Sequence, residues 1–195
     1  MKTKFLMLIA VIAVISVIVF SVPGQDTVDA DKLGKQLAAK YPGSTIGVHS
    51  SEENITEQQE IDRSQLVIEG KILSADSYWK IVNPESNPRI FTDYRVQVLD
   101  VIKGSSDKVI TVTMQGGIKD GITETPQSHL LEKGDTVIMV LGKDIFSIFG
   151  DKYTPISVSK SVYLIDESGN AENKLGERTN TKDIVKSRIA NLVNP

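Results

Sequence analysis

The chain has 195 residues, of which 40% are apolar and 24% are charged, and its formal net charge is −3. These values are typical of one folded domain and argue against wholesale disorder and against a many-span membrane protein. There is no cysteine, which excludes disulfide scaffolds, metal sites with cysteine ligands and thiol nucleophiles. No cluster of Lys and Arg stands out, so we expect no nucleic-acid partner, because phosphate binding needs concentrated positive charge.

An apolar segment runs from Phe5 to Val22, after Lys2 and Lys4. It reaches the length of about 18 residues that a membrane-spanning helix needs. Basic residues before it and acidic residues after it predict a cytoplasmic N-terminus with the rest of the chain outside. A cleaved signal peptide is the alternative, since small residues follow the segment and offer imperfect cleavage sites. The membrane is therefore an expected partner through Phe5 to Val22, and the folded part is expected outside the cytoplasm in either case.

The chain divides into three parts: 1–24 is the anchor or signal peptide, 25–55 a short helix and a stalk, and 56–195 a β-rich extracytoplasmic domain. In the second part, residues 31–40 predict the helix, and residues 41–54 are rich in Pro, Gly, Ser and Glu, which indicates the stalk. Asn54 begins a glycosylation sequon. Chance sequons are common, so we interpret this one as a chance match.

The third part opens with a capping box, Thr56 with Gln59, which predicts a short helix to about Ser64. Period-two alternation then predicts strands at 66–72, 90–103 and 109–114. The alternation changes phase near Val98 and Leu99, and a β-bulge there would restore one apolar face and bend the strand.

Residues 117–135 read as a long polar loop, which favours a binding surface. The continuously apolar residues 136–141 predict a central strand covered on both faces. Weaker strands follow at 145–149, 153–158 and 161–165, and residues 166–170 predict a turn. A final helix at 181–193 has Ile184, Ile189, Leu192 and Val193 as its apolar stripe. Together these elements predict a mainly β fold: a small antiparallel curled sheet or an OB-like barrel with a C-terminal helix.

The segments LVIEGKILSA, TDYRVQVLDVIKG, VITVTMQGG and EKGDTVIMVL, in this order, resemble a broad set of uncharacterised exported, membrane-anchored β-rich proteins. That resemblance implies no known activity. The first strand and the bend resemble, more distantly, the OB-like barrel of netrin-type and metalloproteinase-inhibitor domains. Those domains depend on an N-terminal cysteine and on disulfides, so none of their inhibitory residues transfers to this chain.

Tyr78 and Trp79 are the candidate binding residues. They follow the first predicted strand in an apparent loop, and paired aromatic side chains there could stack on a sugar or anchor a partner. The alternative is that they fold back and plug one end of a small barrel.

We expect no enzyme activity, no cofactor and no catalytic residue. His49 and His129 are far apart in the sequence and read as solvent-exposed, and no zincin, α/β-hydrolase or P-loop motif occurs. Asp166 to Glu177 partly matches a twelve-residue calcium loop, but Ala171 stands where the loop needs glycine, so we interpret it as a hairpin turn and expect no metal. The sequence thus favours a tethered binding or scaffold module whose partner is an envelope protein or polysaccharide. A carboxylate-based hydrolase of envelope polymers and a netrin-like protease inhibitor are the alternatives.

Overall fold

A computed structural model describes residues 29–47, 54–83, 85–126, 128–143, 148–176 and 180–194. The helices are α1 (Ala30–Lys40), α2 (Glu57–Arg63) and α3 (Lys182–Val193). The strands are β1 (Thr45–Gly47), β2 (Leu66–Lys80), β3 (Arg89–Lys103), β4 (Val109–Gln115), β5 (Gly117–Lys119), β6 (Ile122–Thr125), β7 (Thr136–Lys143), β8 (Tyr153–Pro155), β9 (Val162–Ile165), β10 (Asn170–Asn173) and β11 (Asn180–Thr181). The prediction of a mainly β chain with a C-terminal helix is confirmed.

The predicted membrane segment from Phe5 to Val22 lies outside the described residues, and so does His49. No helix within the described part of the chain is long and apolar enough to cross a membrane. Residues 145–147 of a weaker predicted strand also fall outside it.

Eight strands form one curled, mixed sheet in the order β11-β10-β9-β7-β2-β3-β4-β8. Most neighbours are antiparallel, as predicted, but β8 runs parallel to β4, where Val112 lies opposite Tyr153. The same short strand is antiparallel to β7, with Tyr153 opposite Lys143. The expectation of a wholly antiparallel sheet is therefore wrong, because β8 turns back from β7 and meets β4 in the same direction. The strands β1, β6 and β5 form a separate three-stranded sheet.

The bulge predicted near Val98 and Leu99 is confirmed. Gly70 and Glu69 are consecutive on β2, yet they lie opposite Val98 and Asp100, so Leu99 is the extra residue on β3. Leu99 is nevertheless 50% exposed. The expectation that the bulge returns this side chain to an apolar face is wrong, because the extra residue of a bulge stands outside the regular pleat.

Three groups of buried apolar side chains hold these elements together. The first lies on one face of the main sheet and includes Ile68, Tyr94, Val112 and Met139. The second lies between the opposite face and the helices α2 and α3, and includes Ile61, Val140, Tyr163 and Ile189. The third contains Ala38, Trp79, Ile90 and Ile122. Burying one such large side chain fully is worth about 1.5–3 kcal/mol.

β7 is the central strand, as the continuous apolar run predicts. It lies between β2 and β9, and its six inner residues are buried. Val137, Met139 and Leu141 pack into the first group, while Ile138 and Val140 pack into the second. A strand covered on both faces needs apolar residues at every position, which is why the alternation is missing here.

Part of the predicted stalk belongs to the folded domain. The expected helix forms as α1, which Asp29 caps by accepting hydrogen bonds from the backbone of Asp31 and Lys32. Thr45–Gly47 then forms β1, parallel to β6. The stalk interpretation is wrong for this stretch, because a strand from an otherwise polar segment completes a small sheet with a partner distant in sequence.

The predicted polar loop at 117–135 is also wrong in its first half. Gly117–Lys119 and Ile122–Thr125 form the β5–β6 hairpin. Its turn places Asp120 at φ 50° beside Gly121 at φ 80°. These two strands are too short to show a hydrophobic period in the sequence. The pairing of β6 with β1 stabilises the hairpin.

The two remaining helices follow their sequence signals with one exception. The capping box of α2 is confirmed, since Thr56 and Gln59 each bond the other's backbone N–H. In α3 the buried residues are Val185 and Ile189. Ile189, Leu192 and Val193 of the predicted apolar stripe pack in the second group. Ile184 is instead 50% exposed, because it precedes Ile189 by five residues, whereas Val185 precedes Ile189 by four and shares its face of the helix.

Candidate functional site

Tyr78 and Trp79 lie inside β2, so their expected position in a loop is wrong. The strand continues to Lys80 because it pairs with β3 along its length, with Tyr78 opposite Phe91 and Trp79 opposite Ile90. Consecutive strand residues point to opposite faces. The structure therefore separates the two aromatic side chains that the sequence places together.

Trp79 is part of the interior. Its side chain is 5% exposed and packs with Ala38, Ile90 and Ile122 beneath α1. The indole Nε1–H donates a hydrogen bond to Asp120 Oδ2 at 2.8 Å, which satisfies the one polar group of the ring. This arrangement resembles the plug that the sequence offered as the alternative to a binding role. A ligand would reach the indole face only after α1 moved.

Tyr78 belongs instead to a polar group on the other face, which we call the Asp93 cluster: Tyr78, Asp93, Thr113 and Lys152. The Tyr78 hydroxyl donates to Asp93 Oδ1 at 3.2 Å, and the Thr113 hydroxyl donates to the same oxygen at 2.6 Å. Lys152 Nζ lies 2.5 Å from Asp93 Oδ2. One carboxylate thus organises donors from β2, β4 and the segment before β8.

Aromatic rings flank the Asp93 cluster. The Phe91 ring lies 6.5 Å from Tyr78 and 5.0 Å from Phe149, in tilted arrangements. The ammonium group of Lys152 stands 5.5 Å from the centre of the Tyr78 ring, and that of Lys80 stands 5.2 Å from the Phe149 ring. An aromatic ring attracts a cation to its face, so these contacts hold both lysine side chains close to the sheet.

The surroundings of Tyr78 keep its hydroxyl protonated. Burial, and then the negative charge of Asp93, raise the pKa of Tyr78 to about 12. A phenol with this pKa is a hydrogen-bond donor at physiological pH and is not a phenolate nucleophile. The geometry therefore suits recognition and positioning better than covalent chemistry.

A cleft of about 320 Å³ adjoins the Asp93 cluster and shares Lys152 with it. We call it the β4–β8 cleft. Its other lining residues are Asp107, Val109, Ile110, Thr111, Lys143, Asp151 and Tyr153. Lys143 Nζ donates to the Asp151 backbone carbonyl at 2.6 Å and stands 4.4 Å from the centre of the Tyr153 ring. The cleft offers a ligand ammonium groups, carboxylates and an aromatic ring.

Of the residues in this site, the sequence identified only Tyr78 as a candidate. Asp93 alternates with the apolar Tyr94, and this alternation indicates that Asp93 lies on a polar strand face. No sequence signal connects Lys152 with Asp93, because the two residues meet only when the segment before β8 crosses the sheet.

Two other carboxylates are held in ion pairs that support the fold. Glu124 is fully buried and accepts hydrogen bonds from Arg89 Nε at 2.9 Å, Gln115 Nε2 at 2.8 Å and the Ile90 backbone at 2.7 Å. Multiple donors satisfy the oxygens of a buried carboxylate, which would otherwise carry a large desolvation cost.

Glu69 joins α3 to the sheet. It lies 3.1 Å from Lys182 Nζ and 2.6 Å from Lys186 Nζ. Burial acts to raise the pKa of Glu69, but hydrogen bonds from Lys186 and Lys182 outweigh it, so the pKa is lowered. A carboxylate in this state is an anchor for the helix and not a general acid.

The prediction that His129 is solvent-exposed is wrong. The ring is half-buried, and its Nε2 donates to the Glu172 carbonyl at 2.9 Å. Burial lowers the pKa of His129, against the opposing effect of that hydrogen bond. Within the described ranges, no group of three His, Asp or Glu side chains could hold a metal ion.

The segment compared with a calcium loop forms a hairpin turn over its described residues, 166–176. Asp166 Oδ1 accepts from the backbone N–H groups of Ser168 and Asn170, at 2.9 and 2.8 Å. This oxygen is occupied by the turn itself, as expected for an Asx-type turn. Glu177, the last residue of the motif, lies outside the described residues.

No family model matches the chain, and no curated protein matches it.

Proposed function

We propose that the chain is a membrane-tethered, extracytoplasmic module of the cell envelope that binds a wall polysaccharide or an envelope protein through the β4–β8 cleft. The observation that carries this proposal is the cleft with its neighbouring Asp93 cluster. Its charged groups are fixed by their own contacts: Lys152 forms an ion pair with Asp93, and Lys143 donates a hydrogen bond to the Asp151 carbonyl. Preorganised charges of this kind favour binding because little order is lost when a ligand arrives.

An OB-like barrel is the finer form of the fold in this proposal. β8 pairs with both β4 and β7, so the strands β2, β3, β4, β8 and β7 follow one another in a ring. Most of the first apolar group, including Ile68, Tyr94 and Met139, is contributed by strands of that ring. In barrels of this kind the loops and the strand face near one opening bind extended polymers.

The membrane tether in the proposal rests on the apolar segment from Phe5 to Val22. Protease added to intact cells should degrade the folded part if it is exposed outside and leave a short membrane-bound stub. Complete protection in spheroplasts would contradict the topology. A mature N-terminus near Gln25 or Asp31 would instead identify the segment as a cleaved signal peptide.

Binding is tested with the full-length protein in lipid nanodiscs and isolated wall polymer that is sedimented by centrifugation. Tyr153→Ala and Lys143→Gln should each weaken retention on the polymer, because each removes a group that lines the cleft. Lys174→Ala is the matched control, since Lys174 is exposed in the turn after β10. Equal retention of the unmodified protein and all three variants would refute the cleft as the binding site.

A carboxylate-based hydrolase is the second candidate, and one observation favours it. Asp107 and Asp151 both line the β4–β8 cleft, and glycoside hydrolysis uses two carboxylates on either side of one bond. Release of soluble fragments from polysaccharide, lost in both Asp107→Asn and Asp151→Asn, would establish this activity. Retention without fragment release would support the binding module.

A further inference from the structure

α1 stands at one end of the long β2–β3 hairpin. Its small residues Gly34 and Ala38 are buried, with Ala38 packed beside Trp79 and Ile90, and both of these lie near the hairpin's connection. The polypeptide enters this helix at Asp29, its N-cap. The point where the N-terminal segment joins the domain is therefore fixed to this end of the hairpin.

Part of the exposed side of α1 carries apolar and amphipathic groups, which we call the α1 surface. A groove of about 190 Å³ lies between α1 and the β2–β3 connection, lined by Leu33, Gln36, Leu37, Lys40, Asn87 and Pro88. Leu33 is 36% exposed and Tyr41, directly after the helix, is 48% exposed. The Lys40 ammonium stands 5.2 Å from the centre of the Tyr41 ring. Tyrosine and lysine with long apolar stems are the residues that settle at the boundary between hydrocarbon and headgroups.

The connection between this surface and the predicted anchor is short. Seven residue steps separate Val22, the last residue of the apolar segment, from Asp29, the N-cap of α1. At the extended limit they span about 25 Å. A domain tethered at that distance cannot turn its α1 end far from the bilayer.

We infer that the α1 surface lies against the lipid headgroups, and that the domain is held with one defined end toward the membrane. The inference rests on the proposed membrane anchor. Its consequence concerns the opposite end of the domain. β3 extends from Arg89, next to the β2–β3 connection, to Lys103, and its 15 residues would span at most roughly 45 Å. The turn after Lys103, which joins β3 to β4, therefore lies on the side of the domain away from the bilayer.

The absence of cysteine from the chain allows a clean labelling experiment. Gln36→Cys and Ser105→Cys are made in the full-length protein, labelled with a fluorophore and reconstituted in vesicles that contain lipids with a nitroxide on the headgroup. Gln36 lines the groove, and Ser105 is exposed in the turn between β3 and β4. We expect most of the fluorescence at position 36 to be quenched and most of that at position 105 to be retained.

A second variant separates docking from simple proximity. Leu33→Glu, added to Gln36→Cys, places a charge on the α1 surface and should relieve much of the quenching, while the protein stays in the vesicle fraction. Similar quenching at both labelled positions, or no effect of Leu33→Glu, would overturn the inference. Failure of the unmodified protein to remain with vesicles after alkaline extraction would instead refute the proposed anchor.

Discussion

Gly34 of α1 packs directly against the indole of Trp79 in β2: a Cβ atom on Gly34 would lie 2.2 Å from the Cδ2 and Cγ atoms of that ring. A glycine in a helix usually costs stability, about 1 kcal/mol relative to alanine. Here it permits the close approach that joins the N-terminal helix to the sheet.

Replacing this glycine should therefore destabilise the protein despite the gain in helix propensity. We expect Gly34→Ala to lower the free energy of unfolding by about 1–3 kcal/mol, the usual cost of overpacking a tight contact. Urea unfolding followed by Trp79 fluorescence reports on this contact, since Trp79 is the chain's single tryptophan. A more stable Gly34→Ala protein would show that α1 is not packed on Trp79.

Removal of the Asp93 carboxylate should loosen the site without abolishing the fold. Asp93→Ala removes the acceptor of the Thr113 hydroxyl. Thr113 is buried, with only 1% of the residue exposed. Leaving a buried donor unsatisfied costs about 1–3 kcal/mol. Thermal unfolding measures the change, and Asp76→Ala is the matched control because Asp76 lies directly opposite on β2 and is exposed. Equal losses from both substitutions would contradict a special role for Asp93.

The raised pKa of Tyr78 predicts a loss of stability only in strong alkali. The folded state holds this proton more tightly than the unfolded chain, whose tyrosine pKa is about 10. The stabilising contribution is therefore complete below about pH 10 and is lost as the pH rises through the folded value of about 12. The difference in tyrosinate absorbance between the unmodified protein and Tyr78→Phe isolates this one titration. A difference curve centred near pH 10 would show that burial and Asp93 do not act on the phenol.

Neighbouring residues of α3 should differ sharply in their tolerance of truncation. Val185 is fully buried against the sheet, whereas Ile184 is 50% exposed. We expect Val185→Ala to cost about 2 kcal/mol through lost contacts and a residual cavity. Ile184→Ala should stay within about 0.5 kcal/mol, as for an ordinary surface change. Chemical unfolding of the two variants checks this directly, and the reverse order would place the apolar stripe where the sequence alone predicted it.

Local patterns in the sequence were enough to predict the mainly β class, the central strand β7, the bulge at Leu99, the capping box of α2 and the presence of α3. Each depends on interactions within a few residues or on a burial pattern that repeats along one element. The amino acid types at those positions therefore carry the information by themselves.

Contacts between distant segments decided the rest. β1, β5 and β6 are too short to show a period, and they form because they pair with one another. Trp79 is a core residue because α1 covers it, and the Asp93 cluster exists because Lys152 reaches β3 from another part of the chain. Burial and charge pairing are properties of the assembled surface, so the residues that line the β4–β8 cleft emerge only from the tertiary structure.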